Sequence, residues 1–247
     1  FIMDVLDEYG AKGEFFIDIY PYREIGENNF ASLCENIVKR GHCVQLHTHP
    51  STLFDKERIF LHQYSLEEQR EILLFGKEKL REWIGTYPLA HRAGGYGINE
   101  YTFKALEEAG VGYDSSYFYG NKNCKFHSNI KNKPFRIKSV TEIPITVFKR
   151  VLRDKLFLIN ICRREQFNKL DMRYGVTIEE IKEVINKTPG DDIIVLFLHS
   201  FNFLDLLYDF RGRKLRRIGI DEEGIKRFEN LIIWISSQEN CSFITMD

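Results

Sequence analysis

The sequence predicts an α/β fold: one domain of about barrel size, with a largely parallel sheet. Three observations predict it. Apolar runs of strand length alternate with helical periodicity along the whole chain, the signature of βαβ units. The 247 residues are one to two domains' worth at roughly 150 residues each, and single α/β barrels routinely reach about 250. Polar residues also sit just after the apolar runs. In parallel α/β folds the chemistry gathers at the carboxyl ends of the strands, and His47, His49, Arg92, Asp114 and His199 all occupy such places.

The elements follow in order. Residues 1–9 read as the end of an amphipathic helix closed by Gly10. Glu14 to Asp18 is a short buried strand. Residues 28–40 are helical, with Phe30, Leu33, Ile37 and Val38 on the apolar face and Gly41 at the stop. Cys43 to His47 is a strand. Ser65 and Glu68 form a capping box opening a helix to Ile84, ended by Gly85. Pro88 to Ala93 is a strand, Asn99 caps a helix to Ala109, and Val111 to Asp114 is extended. Tyr117 to Lys133, rich in Asn, Lys and aromatics, is a loop. Glu142 to Ile145 is an edge strand, since Pro144 is unwelcome in a central one. Thr177 and Glu180 make a second capping box. Ile193 to Leu198 is the strongest buried-strand signal, and residues 201–220 form a long connection. A last helix spans Glu222 to Ser237, and a last strand Ser242 to Met246.

Composition narrows the function. Lys plus Arg number 35 against 36 Asp plus Glu, a net charge of −1. A nucleic-acid-binding module carries a basic excess, and adhesion to an anionic membrane needs one as well. The 43% hydrophobic and 29% charged content is that of a globular chain, and no apolar run reaches transmembrane length. Cys34, Cys43, Cys124, Cys162 and Cys241 are odd in number and contain no C-x-x-C pair. This leans toward a reducing, cytoplasmic setting. Because the chain opens at Phe1 and already reads as helix, an upstream segment is expected to be missing.

Four constellations can carry chemistry. In His47-Thr48-His49-Pro50 the two imidazoles, two residues apart in extended chain, face one way and can reach one metal ion, or they are solvent-exposed loop histidines. Arg92 to Gly97 holds an Arg suited to clamping a carboxylate and glycines that admit close backbone approach; equally, it is a turn leading to Asn99. His199, after an apolar strand, is a candidate general acid or base, or a His at the rim of the core. Asp114 can orient His199 or another base, or cap a turn. His42, His62, His91 and His127 have no partner at useful spacing, and no G-x-S-x-G elbow occurs. The five basic residues from Arg211 to Arg217 read as a solvated loop, with contact to an anionic sugar as the minority reading.

The order of these motifs is more specific than any one of them. Leu6 to Ile17, then Gly41-His42 with His47-Thr48-His49, then Arg92 to Gly97, then Asp114-Ser115-Ser116, then Leu196 to His199 resembles the polysaccharide deacetylase family (NodB homology domain, carbohydrate esterase family four). The resemblance runs over nearly the whole chain, and closest to the lipopolysaccharide and capsule branch with an H-x-H-P motif. It implies an irregular (β/α) barrel of seven or eight strands, the first missing here, in a single domain over residues 1–247. It further implies hydrolysis of an acetyl group, most often N-acetyl, from a sugar in cell-surface glycan assembly. The cofactor is a divalent metal, usually Zn²⁺, which lowers the pKa of its water and polarises the carbonyl.

Carried over by motif, His47 is a metal ligand, with His49, a water or another side chain in the second place; His199 is the general acid and Arg92 the orienter of a catalytic aspartate, and Asp114 is a further catalytic candidate. Gly95 and Tyr96 mark the oxyanion donor. Three departures stand out. The paired aspartates of the family's first strand have no counterpart, since Asp4 and Asp7 fall in helix. Ser51 occupies the position of the usual second histidine. Gly95, with Tyr96 one residue later, stands where Tyr or Phe is usual. These departures motivate a rival reading, a catalytically silent glycan-binding or scaffolding domain of the same fold. A third reading is a hydrolase of O-acetyl esters or non-glycan amides.

Overall fold

The structure, a computed structural model, describes residues 1–156, 159–172, 176–190, 192–208 and 214–246, and only the backbone of residues 151–156, 159–165, 205–208 and 214–218. Of the basic run from Arg211 to Arg217, residues 211–213 lie outside the described residues and the other side chains do too. So does the side chain of Cys162.

In chain order the elements are α1 (Ile2–Glu8), β1 (Glu14–Asp18), α2 (Tyr22–Ile25), α3 (Glu27–Lys39), β2 (Cys43–Thr48), α4 (Leu66–Ile84), β3 (Ala90–Ala93), α5 (Glu100–Glu108) and β4 (Tyr113–Asp114). They continue with β5 (Phe135–Ile137), β6 (Val140–Glu142), β7 (Val147–Leu156), β8 (Ile159–Lys169), α6 (Ile178–Lys187), β9 (Leu204–Tyr208), β10 (Lys214–Ile220) and α7 (Glu222–Ser236).

The chain divides into two compact units. The larger comprises Lys12–Lys169, Asp192–Val195 and Ile244–Asp247, and the smaller Phe1–Ala11, Leu170–Asp191 and Leu196–Phe243.

The larger unit is built on a six-stranded mixed sheet of order β1-β2-β3-β4-β6-β5. The first five of these strands pair parallel, and β5 joins β6 antiparallel. With β1 and β5 as its edges, the sheet does not close into a barrel among the described residues. Glu142 ends an interior strand rather than an edge one, because Pro144 lies beyond the paired residues and costs the ladder nothing.

Helix α4 covers β2 closely. A Cβ on Gly76 would stand 2.6 Å from Leu46 Cδ1 and 2.7 Å from Tyr20 Oη, so only glycine lets the helix approach this far. The Tyr20 hydroxyl donates to the Ile72 carbonyl at 2.9 Å, and Leu46, Ile72, Leu73, Leu80 and Phe103 are all buried. On α3 the buried residues are Cys34 and Ile37, while Leu33 and Val38 are 45% and 39% exposed. The apolar face is therefore rotated from the expected one, with Phe30 spent in a stack on Trp83 (5.9 Å).

Helix ends obey local chemistry. Ser65 Oγ accepts from the Glu68 N–H, and Glu68 accepts in return from the Ser65 N–H. Gly85 ends the helix at φ +75°, a left-handed conformation that costs glycine little. Ser65→Ala is expected to lower stability by about 1 kcal/mol, read as a shifted urea midpoint at unchanged slope. A shift no larger than that of an exposed mid-helix control would refute the cap's contribution.

In the smaller unit α1 and α7 pack together. Phe1 meets Phe203 and Phe228 edge-on at 5.2 and 5.9 Å, and Leu231, Ile232 and Ile181 are buried. Residues expected to form a long connection instead contain the antiparallel hairpin of β9 and β10. The apolar run from Ile193 to Leu198 is not a strand. Only Phe197 forms a bridge, to Asp171, and the Val195 N–H donates to Thr146 Oγ1 instead of to a neighbouring backbone. Residues 242–246 likewise form no strand, and the Met246 N–H donates to Glu14 Oε1 at 2.6 Å. Among the described residues no helix is long and apolar enough to cross a membrane, and no disulfide forms.

Candidate functional site

Strand period places the site residues. In the parallel register Asp18 lies beside His47 and His47 beside Arg92. In-register neighbours share a face, so these three form one row at the carboxyl ends of β1, β2 and β3. One residue earlier, His91 lies beside Asp114 and Asp114 beside Glu142, a second row on the opposite face.

In the first row His47 Nδ1 donates to the Arg92 carbonyl at 2.6 Å. A carbonyl only accepts, so the proton is on Nδ1 and Nε2 keeps its lone pair. Burial, then the neighbouring His49, holds the His47 pKa well below the ordinary imidazole value, and burial lowers that of His49 too. The two rings stand edge to face at 4.8 Å. The Asp18 carboxyl is pushed up to about 6 by burial, opposed by hydrogen bonds from the Tyr20 and His49 backbone. Sequence reasoning missed Asp18, whose signal was its place at the end of an apolar strand.

Arg92 bonds to the segment that follows β4. Its Nε donates to the Ser115 carbonyl at 2.9 Å and an Nη to Ser115 Oγ at 2.8 Å, with the guanidinium 4.0 Å above the Phe16 ring. Burial lowers its pKa to about 10.

The glycine loop after β3 does two things. A Cβ on Gly94 would lie 2.5 Å from His49 Cε1 and 2.6 Å from the Thr48 carbonyl, so glycine is what admits the His49 ring. Gly95 and Tyr96 both take left-handed backbone, φ +57° and +64°. For a bulky residue such as Tyr96 this is strained, a feature that clusters at functional sites. The Tyr96 hydroxyl accepts from Lys169 Nζ at 2.8 Å, and its ring meets Phe118 at 5.0 Å.

The second row was not foreseen. His91, expected to lack a partner, is fully buried and donates from Nδ1 to Asp114 Oδ1 at 2.7 Å, while its Nε2 pairs with Thr48 Oγ1 at 3.0 Å. Ser116 Oγ also donates to Asp114 Oδ1, at 2.8 Å, and the Tyr117 N–H donates to Glu142 Oε1 at 3.0 Å. Burial, then the charge of Asp114, drives the Glu142 pKa well above the carboxylate range. Burial works against Asp114, but the hydrogen bonds from His91, Glu142 and Ser116 leave its pKa lowered. The nearest signal in the sequence was three polar residues at strand ends, 23 and 28 positions apart.

His199 belongs to the smaller unit. Its N–H donates to Asn202 Oδ1 at 2.8 Å and its ring stacks on Phe201 at 4.5 Å. Asn202 Nδ2 in turn donates to the buried Asp171 at 3.1 Å. Neither Asn202 nor Asp171 was singled out in the sequence.

For a metal, the imidazoles of His47 and His49 are suitable donors, yet among the described residues no three His, Cys, Asp or Glu side chains are arranged to hold an ion.

No protein-family model matches the sequence, and no curated protein does. Similar solved structures include a protein from Mycobacterium smegmatis described as a polysaccharide deacetylase, with TM-score 0.65 at 19% identity over 99% of this chain and 72% of that one. The Bc1960 peptidoglycan N-acetylglucosamine deacetylase gives 0.52 at 15% over 99% and 78%. The Puue allantoinase gives 0.61 at 15% over 99% and 68%. At such identities the likeness is one of fold: an α/β architecture, with a mixed sheet and surrounding helices, shared with these deacetylase and allantoinase structures.

Proposed function

We propose that the chain is a glycan-binding domain of the polysaccharide-deacetylase fold, taking an acetylated sugar of a cell-surface polysaccharide and not itself hydrolysing the acetyl group. One observation carries the reading. The polar groups at the strand ends are committed to one another: Arg92 to Ser115, His91 to Thr48 and Asp114, Glu142 to Asp114. Among the described residues they do not converge as a metal-ligand set.

A second reading, metal-dependent deacetylation, is favoured by the orientation of His47, whose Nε2 lone pair is kept for a partner. In that reading His47 and His49 hold the metal, which supplies Lewis-acid polarisation of the acetyl carbonyl and an acidic bound water. His199, Arg92, Asp114, Gly95 and Tyr96 keep the roles that the motif order implies.

Calorimetry with an N-acetylglucosamine tetrasaccharide, with and without added Zn²⁺, joined to an acetate-release assay, separates the two. The expected outcome is binding with no acetate released in either condition. Zinc-dependent release, abolished in His47→Ala and strongly reduced in His199→Ala without loss of zinc, would replace the first reading by the second. The fold shared with an allantoinase justifies adding an allantoin arm. Turnover there with no glycan binding would sink both.

A further inference from the structure

The segment after β4, tied to the second row by the Tyr117 N–H on Glu142, forms a cavity of about 570 Å³ whose lining includes Tyr117, Tyr119, Asn121, His127, Asn129 and Phe167. That volume is within the range of small-ligand sites, roughly 300–1,000 Å³. Two of its walls are aromatic and at right angles: the Tyr119 and Phe167 rings lie 4.8 Å apart at 82°. An aromatic face in such a corner can receive the C–H face of a pyranose.

The polar lining retains unused capacity. Asn121 spends Oδ1 on the Asn123 N–H at 2.9 Å, which leaves its amide donors. The exposed side chains of His127 and Asn129 make no hydrogen bond or ion pair among the described residues. Such groups suit ring hydroxyls and acetamido oxygens.

Charge narrows the ligand. Residues 117–133 contain Lys122, Lys125, Lys131 and Lys133 and no Asp or Glu, a local excess hidden by the overall net charge of −1. Lys133 is paired with Asp192 at 3.4 Å. Lys131 is held at the aromatic corner instead, its Nζ 4.9 Å from the Tyr119 ring centroid and 5.0 Å from that of Phe167. Lys131 is exposed, so its ammonium, held beside two rings, stays open to an anion.

We propose that this cavity binds a sugar unit bearing a carboxylate, a hexuronate, with Tyr119 and Phe167 receiving the ring and Lys131 the carboxylate. The proposal rests on the glycan-binding reading and deepens it: the polysaccharide recognised is acidic.

The test is calorimetry on the whole chain with a tetrasaccharide of alternating glucuronate and N-acetylglucosamine, and with its carboxyl-reduced counterpart. At low salt the acidic form should bind about tenfold tighter, and the preference should shrink near physiological salt. Lys131→Gln should erase the preference. Tyr119→Ala should weaken both ligands about tenfold, and Tyr119→Phe should retain them, all at unchanged melting temperature. Equal binding of the two tetrasaccharides overturns the proposal. Binding undiminished in Tyr119→Ala overturns it too, while the glycan-binding reading stands. Failure of these ligands and of the N-acetylglucosamine tetrasaccharide alike overturns both.

Discussion

Glu142→Gln is expected to match the wild type in stability at mildly acidic pH and to exceed it by about 1–3 kcal/mol at alkaline pH. Glu142 and Asp114 are both fully buried, and neither Glu142 Oε2 nor Asp114 Oδ2 meets a donor from elsewhere among the described residues. A single proton on Glu142, donated to Asp114, satisfies both oxygens. The folded pKa of Glu142 is raised above its ordinary 4.5, so its contribution is complete below the unfolded value. It is lost as pH climbs through the folded one, because the unfolded chain gives up the proton more readily. Asp114 has the opposite sign: lowered from 3.8, it contributes above the unfolded value and fails in acid. The pair is therefore sound in a window closed below by Asp114 and above by Glu142.

Glutamine keeps every bond in that window. Its carbonyl accepts from the Tyr117 N–H, its amide donates to Asp114, and it has no proton to lose. Urea midpoints across the pH range should give a wild-type curve that falls on the alkaline side and a Glu142→Gln curve that does not. Parallel curves would refute the shared proton. Glu142→Ala strands the Tyr117 N–H and one Asp114 oxygen. It should cost about 1–3 kcal/mol per orphaned group at every pH, which separates loss of the proton from loss of the contact.

Why the second row escaped the sequence is a matter of range. Ser65 with Glu68, Thr177 with Glu180, and Gly85 at a helix end were legible because each is settled within four residues of chain, and the structure places the caps there. That His47 and Arg92 would stand at strand ends was legible too, since an apolar run followed by a polar residue is a local pattern. Pairing is not local. His91 and Asp114 meet only because β3 and β4 run parallel in one register, and shifting that register by one residue would turn them to opposite faces. The same limit explains the run from Ile193 to Leu198. Hydrophobicity reports a wish for burial, but a strand needs a partner ladder, and among the described residues only the Asp171 bridge is there. Conversely, Val147–Leu156 and Ile159–Lys169 are crowded with charge, so alternation was faint, yet they pair along their lengths as a hairpin. The glycine loop was flagged for close approach, but what approaches is the protein's own His49.

Gly94→Ala is the sharpest probe of that approach. The added Cβ would stand 2.5 Å from His49 Cε1, 2.6 Å from His49 Nδ1 and 2.6 Å from the Thr48 carbonyl, distances that no contact tolerates. The His49 ring can rotate away, but the Thr48 carbonyl is backbone at the end of a paired strand and can only be displaced. Overpacking of this kind costs about 1–3 kcal/mol. At about 2–4 °C per kcal/mol in a chain of this size, the melting temperature should fall by several degrees. Gly112→Ala is the matched control, because a Cβ there meets nothing within 4 Å, and it should melt with the wild type. The imidazole resonances separate strain from function. If His49 is displaced, its ring signals move in Gly94→Ala. Loss of affinity for the N-acetylglucosamine tetrasaccharide in the same variant would then place His49 at the recognised sugar. Wild-type melting with unmoved His49 signals would mean that the loop yields freely, and the close approach of Gly94 would lose its claim to position anything.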